Sequence, residues 1–132
     1  MKVLLTGGSG NLGQTLVPRL LDKGDAPVIL DVRAPRSVNE GAVFIEGSVL
    51  DRSKLTEIFR GGDCIVHIAA WHGIHEDRGE KGAYDFFDLN VRGTFEVFEA
   101  AASAGIGNSY SSPPPAFTGR IPGTAAARFW LN

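Results

Sequence analysis

Cysteine is all but missing. Cys64 is the only one in 132 residues, and it sits inside an apolar run. A single thiol makes no internal disulfide, which excludes the disulfide-stapled secreted scaffolds and fits a reducing cytosol. An excess of charge of one sign is missing too. The formal net charge is -2, which leaves no basic footprint for DNA or RNA and no polybasic patch for a membrane surface. Long hydrophobic runs are absent, since no stretch approaches the ~20 apolar residues that span a bilayer. The run Val3, Leu4, Leu5 behind Lys2 breaks at Gly7, too soon for the core of a signal peptide. What remains is one soluble domain of ordinary hydrophobic content, 43%, expected in the cytoplasm.

Glycine is plentiful, with 17 residues weighted to the first half, and the 7 prolines concentrate late. Four short apolar runs, Lys2–Thr6, Pro27–Asp31, Ala42–Glu46 and Cys64–Ala69, are apolar on both faces rather than alternating. That is the pattern of strands in a parallel sheet covered on two sides. Between them lie stretches of helical period: Asn11–Lys23 with Leu12, Leu16, Leu20 and Leu21, ended by Gly24; then Asp51–Arg60 with Leu55, Ile58 and Phe59. Tyr84–Ala104 follows, with Phe87, Val91, Phe95, Phe98 and Ala102 along one stripe, of which Phe87, Phe95 and Phe98 read as core. Strands alternating with helices give right-handed βαβ units. The expected class is α/β: a three-layer parallel sheet of about four strands in the order 3-2-1-4, with an irregular C-terminal tail.

Lys2–Thr6 runs into Gly7-Gly8-Ser9-Gly10-Asn11-Leu12-Gly13 and then a helix. Gly7 permits a tight turn off the strand, Gly10 lets a pyrophosphate approach the backbone, and Gly13 lets the helix pack close to the strand. The amides where a helix begins, and its positive dipole end, attract phosphate. Ser9, Asn11 and Leu12 complete the turn. A glycine pattern alone is weak; between a strand and a helix it carries the Rossmann fingerprint. Asp31 closes the second strand about 20 residues on, where a carboxylate accepts hydrogen bonds from the adenosine ribose. It would repel a 2′-phosphate, so NAD is expected over NADP. Arg33, after Val32, pulls the other way.

With these residues in view, the chain resembles the extended short-chain dehydrogenase/reductase family, the NAD-dependent epimerase/dehydratase group. The resemblance is carried by TGGSGNLG at Thr6–Gly13, ILDVR at Ile29–Arg33, GSVLD at Gly47–Asp51, HIAA at His67–Ala70 and NVRGTFEVFEAA at Asn90–Ala101, and covers residues 1 to about 106. It implies a cofactor site of Gly7, Ser9, Gly10, Asn11, Leu12, Gly13, Asp31, Val32 and Arg33, with Ser48 and Val49 beside the adenine and Ala69 and Ala70 lining the cleft. Ser48 departs from the family's usual aspartate there. Asn90 resembles a mainly structural asparagine. The resemblance further implies a nucleotide sugar or related sugar as substrate, and a homodimer through the long helix 84–104.

The family's general acid/base pair, Tyr-x-x-x-Lys, has no counterpart: Tyr84 is followed four positions on by Asp88, and Tyr110 by Pro114. No catalytic residue is assigned, and the substrate-holding half is expected to be absent. The domain thus spans 1–106, and 107–132 is expected to be irregular, with no fifth strand, since Pro113–Pro115 cannot sit in a central strand. Read one nucleotide earlier, codons for Gly107–Gly119 permit a family-like strand: Arg for Gly107, Lys for Asn108, Phe for Ser109, Val for Tyr110, Ser or Thr at Pro113–Pro115. The tail therefore reads as out-of-frame translation; the alternative is a divergent, disordered tail. The strand Cys64–Ala69 would then keep an unpaired apolar edge, and marginal stability is expected.

Other signals are weaker. His72 and His75 beside Glu76 and Asp77 fall on a loop after a strand end, and no metal is assigned to them. Trp71 and His72 occupy a position that faces substrate in the family. His67, inside a strand, reads as a packed residue.

Overall fold

The computed structural model describes residues 1–72 and 78–111. The chain alternates strand and helix as β1 (Lys2–Thr6), α1 (Asn11–Asp22), β2 (Ala26–Asp31), β3 (Val43–Glu46), α2 (Arg52–Phe59) and β4 (Cys64–His67). A continuous helical stretch follows, made of α3 (Ala83–Phe86), a π-helical segment (Phe87–Gly93) and α4 (Thr94–Ser103), and then β5 (Asn108–Ser111). The strands form one parallel sheet in the order β3-β2-β1-β4-β5.

The order 3-2-1-4 is the one the sequence predicts. The fifth strand is not. Asn108–Ser111 pairs in parallel with Cys64–His67, residue for residue. Its sequence, NSYS, carries no apolar run; a strand placed by pairing with a neighbour's backbone need not advertise itself locally. Ile106, buried in the core, anchors the chain just before it. The edge that β4 was expected to leave open is therefore closed, and that cause of marginal stability falls away. The rest of the tail, residues 112–132, lies outside the described residues.

Alternation along β1 assigns the layers. Val3 and Leu5 point to one face and pack with Val17, Leu16, Leu20 and Leu21 of α1. Leu4 points to the other and packs with Leu55, Ile58 and Phe59 of α2 and Val97, Ala100 and Ala101 of α4. Each such side chain taken fully from water contributes roughly 1.5–3 kcal/mol. Asp51 caps α2 by accepting from the Lys54 amide at 3.1 Å, and Lys2 Nζ closes its other end on the Arg60 carbonyl at 2.8 Å. Cys64 is buried, as its apolar setting predicts, and burial pushes its thiol pKa up.

Two further expectations change. β4 ends at His67, so Ile68, Ala69 and Ala70 belong to the loop beyond it. The aromatic stripe splits: Phe98 packs edge-on against His67 with ring centroids 6.2 Å apart, but Phe87 and Phe95 are exposed rather than core. The π-helical segment puts one extra residue into its turn, which shifts the register that a uniform helical period assumes. Gly93 closes that segment where a Cβ would come within 2.8 Å of Val49 Cγ2, so glycine lets the helix approach the turn after β3.

Candidate dinucleotide site

All five strands run the same way, so their last residues, Thr6, Asp31, Glu46, His67 and Ser111, share one edge. The loops after them gather there. Chain order reverses between β1 and β4, and in open parallel sheets the crevice at such a switch point receives ligands.

The glycine turn sits at that crevice, and its geometry shows why glycines are required. Gly7 holds φ at +73°, and a Cβ on it would lie 2.5 Å from the Ala69 amide nitrogen. Its own amide donates to the Leu30 carbonyl at 2.8 Å, continuing the β1–β2 ladder. A Cβ on Gly13 would overlap the Gly8 carbonyl group, so α1 starts in direct backbone contact with the turn. Gly10 opens α1 and is exposed; no side chain caps the helix, and its first turn holds no acidic residue. Asn11 and Leu12 are exposed at the same point.

Asp31 reaches this turn. Its Oδ2 accepts from the Ser9 amide at 3.0 Å, and its Oδ1 from the Arg33 amide at 3.2 Å. The acid closing β2 and the helix start are therefore bound to each other. Ser9 Oγ is buried with no hydrogen-bond partner among the described residues, and a buried hydroxyl without a partner is costly unless something else satisfies it. Val32 and Arg33 are exposed beyond Asp31. An uncapped helix start, an orphaned hydroxyl and a carboxylate at one mouth fit a diphosphate joined to a ribose.

The remaining cofactor candidates fall around this mouth in different states. Ser48 Oγ is engaged locally, accepting from the Leu50 amide at 3.1 Å. Val49 is 4% exposed, its side chain turned into the α2–α4 core. Ala69 and Ala70 are half-buried in the loop that Gly7 touches. His72 is exposed, whereas His75, Glu76 and Asp77 lie outside the described residues. Two open grooves lie away from this mouth, one of about 360 Å³ beside Val28, Val43 and Ile45 and one of about 450 Å³ beside Leu16 and Leu20.

Sequence reasoning understated two residues. Asn90 clamps the backbone of the loop after β4: its Oδ1 accepts from the Trp71 amide at 2.8 Å and its Nδ2 donates to the Trp71 carbonyl at 3.0 Å. His67, 4% exposed, is packed as expected but also polar-bonded on both ring nitrogens, to Thr6 Oγ1 and, at 2.9 Å, to Thr94 Oγ1. Burial pushes its pKa down to about 4. The spacing Asn90-x-x-x-Thr94, one helical turn on the face toward β4, was the signal available for both.

The sequence profile of the NAD dependent epimerase/dehydratase family matches residues 3–112. A UDP-glucose 4-epimerase of Klebsiella pneumoniae is 32% identical over 120 residues, covering 82% of this chain and 85% of that protein. A low-salt glycan biosynthesis protein of Haloferax volcanii is 35% identical, covering 80% of this chain and 37% of its own length. Among solved structures, a dTDP-glucose 4,6-dehydratase of Streptomyces venezuelae with NAD bound superposes with a TM-score of 0.72 at 32% identity, over 83% of this chain and 38% of that one. Apart from the Klebsiella protein, the chain spans little more than a third of these relatives. The order of strands, the glycine turn meeting Asp31 and a family match over most of the sequence agree: the chain belongs to the NAD dependent epimerase/dehydratase family.

Proposed function

We propose that residues 1–106 form a dinucleotide-binding domain that takes NAD in preference to NADP. The observation that carries this reading is the bond between Asp31 and the Ser9 amide, because it brings the ribose-binding acid to the helix start where a diphosphate rests. The pyrophosphate would lie against Gly7, Ser9, Gly10, Asn11, Leu12 and Gly13. Asp31 would take the ribose hydroxyls, with Val32 and Arg33 beside them. Ser48 and Val49 would flank the adenine, Val49 through its backbone since its side chain is buried, and Ala69 and Ala70 would line the cleft. A 2′-phosphate would meet the Asp31 carboxylate, and like charge at that distance is unfavourable. Titrating the purified chain with each dinucleotide tests the preference: NAD should saturate at the lower concentration, and tighter binding of NADP would contradict it.

NAD, when bound, supplies a hydride acceptor. Chemistry on a nucleotide sugar or related sugar, the substrate class of the family, would also need an acid/base pair that this sequence does not contain. Tyr84 is 89% exposed and has Asp88, not lysine, four positions on. We therefore read the chain as holding the cofactor and turning over no sugar by itself. That same observation favours a second reading, a regulatory module that binds the dinucleotide without chemistry. The out-of-frame reading loses support over its first residues, since Asn108–Ser111 pair with β4 and the family profile runs to residue 112; for residues 112–132 the nucleotide sequence decides it.

The long helix supplies a partner surface in this reading. Tyr84, Phe87, Val91 and Phe95 are all exposed along it. An apolar stripe of this kind marks an interface, and a symmetric pair of such helices would bury it in a homodimer. Sedimentation should give a dimer that Phe95→Lys converts to a folded monomer, because Phe95 supports no core contact. A wild-type monomer at the highest soluble concentration would rule the interface out.

A further inference from the structure

A line of hydrogen bonds follows the strand-end edge of the sheet from Thr6 through His67 and Thr94 to the backbone carbonyl of Asn90, whose side chain in turn holds Trp71. Counting protons fixes its direction. The Thr94 hydroxyl donates to the Asn90 carbonyl at 2.7 Å, so its oxygen accepts from His67 Nε2–H at 2.9 Å. His67 Nδ1 is then an acceptor and takes the Thr6 hydroxyl proton. Each proton has one partner, and the ring is neutral. The groups seen against it, Thr6 of β1 with Thr94 and Phe98 of α4, carry no charge.

The line crosses the π-helical segment at Asn90, through the same i to i−4 hydroxyl bond that Thr15 and Thr56 make in α1 and α2. In a π turn the carbonyl of residue i pairs with the amide at i+5 instead of i+4. The Thr94 hydroxyl brings a donor to the Asn90 carbonyl from the i+4 position, and so ties Asn90 down where the helix is widest. From there the Asn90 side chain holds Trp71 by both its amide and its carbonyl.

We infer that Thr94 and His67 are positioning residues: by anchoring Asn90 they hold the loop Ala69–Trp71 in place as the wall of the dinucleotide cleft. The purpose of that wall rests on the NAD reading above; the coupling itself can be measured in the protein alone.

Amide hydrogen exchange at Trp71 is the test, with Leu5 in the central strand reporting global unfolding. Thr94→Val keeps the shape and removes the hydroxyl. Exchange at Trp71 should then speed up about fivefold beyond any change at Leu5, the worth of roughly one net hydrogen bond. Thr94→Ser should restore the wild-type value, and Asn90→Leu, which removes both bonds to Trp71, should exceed Thr94→Val. The inference is overturned if Thr94→Val leaves Trp71 unchanged relative to Leu5 while Asn90→Leu releases it, or if serine fails to restore protection. In a parallel arm, Thr94→Val should weaken NAD binding. A wild-type chain that takes up no NAD would sink the functional reading and leave the exchange result to decide this one.

Discussion

Lowering the pH from 7 to 4 should remove about 3 kcal/mol of stability through His67 alone. Its pKa falls from 6.5 to about 4 on folding. A group with a depressed native pKa binds more protons unfolded than folded between those two values, so stability rises with pH across that window and is lost as pH falls through it. At 1.36 kcal/mol per unit, the shift is worth about 3 kcal/mol, a large share of the roughly 5–15 kcal/mol that holds a domain together. The physical cause is burial: a protonated ring would sit among Thr6, Thr94 and Phe98, with no carboxylate paired to it among the described residues, and Nδ1 could no longer accept from Thr6. Asp51, whose pKa is lowered chiefly by the Ser53 hydroxyl, adds its own loss only around and below pH 4. Urea titrations at pH 7, 5.5 and 4.5 measure the effect. His67→Gln should be less stable than wild type at pH 7, and the gap should close as pH falls. A gap that stays constant would show that His67 does not titrate as its burial implies.

Gly13→Ala should cost about 3 kcal/mol or more and abolish dinucleotide binding. The new methyl group would overlap the Gly8 carbonyl group, which is backbone and cannot rotate away. Relief requires α1 to move off the turn, which misplaces the helix start and opens the Val17 contacts behind it. Overpacking of this kind costs about 1–3 kcal/mol and occasionally more. Gly24→Ala is the control. Gly24, unlike Gly13, has a positive φ, +78°, and a Cβ there meets nothing within 4 Å, so its replacement should cost only the left-handed penalty of about 1–2 kcal/mol and keep binding intact. Thermal melting and NAD titration of the two variants separate the effects. Equal losses would mean that the close approach of helix and turn is unimportant.

The parts of the molecule legible in the sequence were those whose physics is local. Leu4, Leu5, Ile29 and Leu30 declare buried strands because both faces are apolar, and Gly7, Gly10 and Gly13 declare a turn because nothing larger fits at two of them. Asp31 was placed by its distance along the chain, and the structure brings it to Ser9. What was not legible depends on partners remote in sequence. β5 is a strand because β4 offers it hydrogen bonds, not because NSYS prefers to be extended. Phe87 and Phe95 look like core until the π-helical segment alters the face they occupy. Nothing in the local sequence says that the Ser48 hydroxyl accepts from the Leu50 amide. Asn90 and Thr94 form a familiar spacing, but only folding reveals that one grips Trp71 and the other His67.

In the proposed function, the acid closing β2 and the start of α1 together grip a dinucleotide. Calorimetric titration of the wild-type chain and Asp31→Ala with NAD tests it most directly. Wild type should bind one NAD per chain, and Asp31→Ala should bind at least about tenfold more weakly, the ~1.5–3 kcal/mol of a charge-assisted hydrogen bond. A wild type that releases no heat at any NAD concentration, or an alanine variant that binds as tightly, would contradict the account.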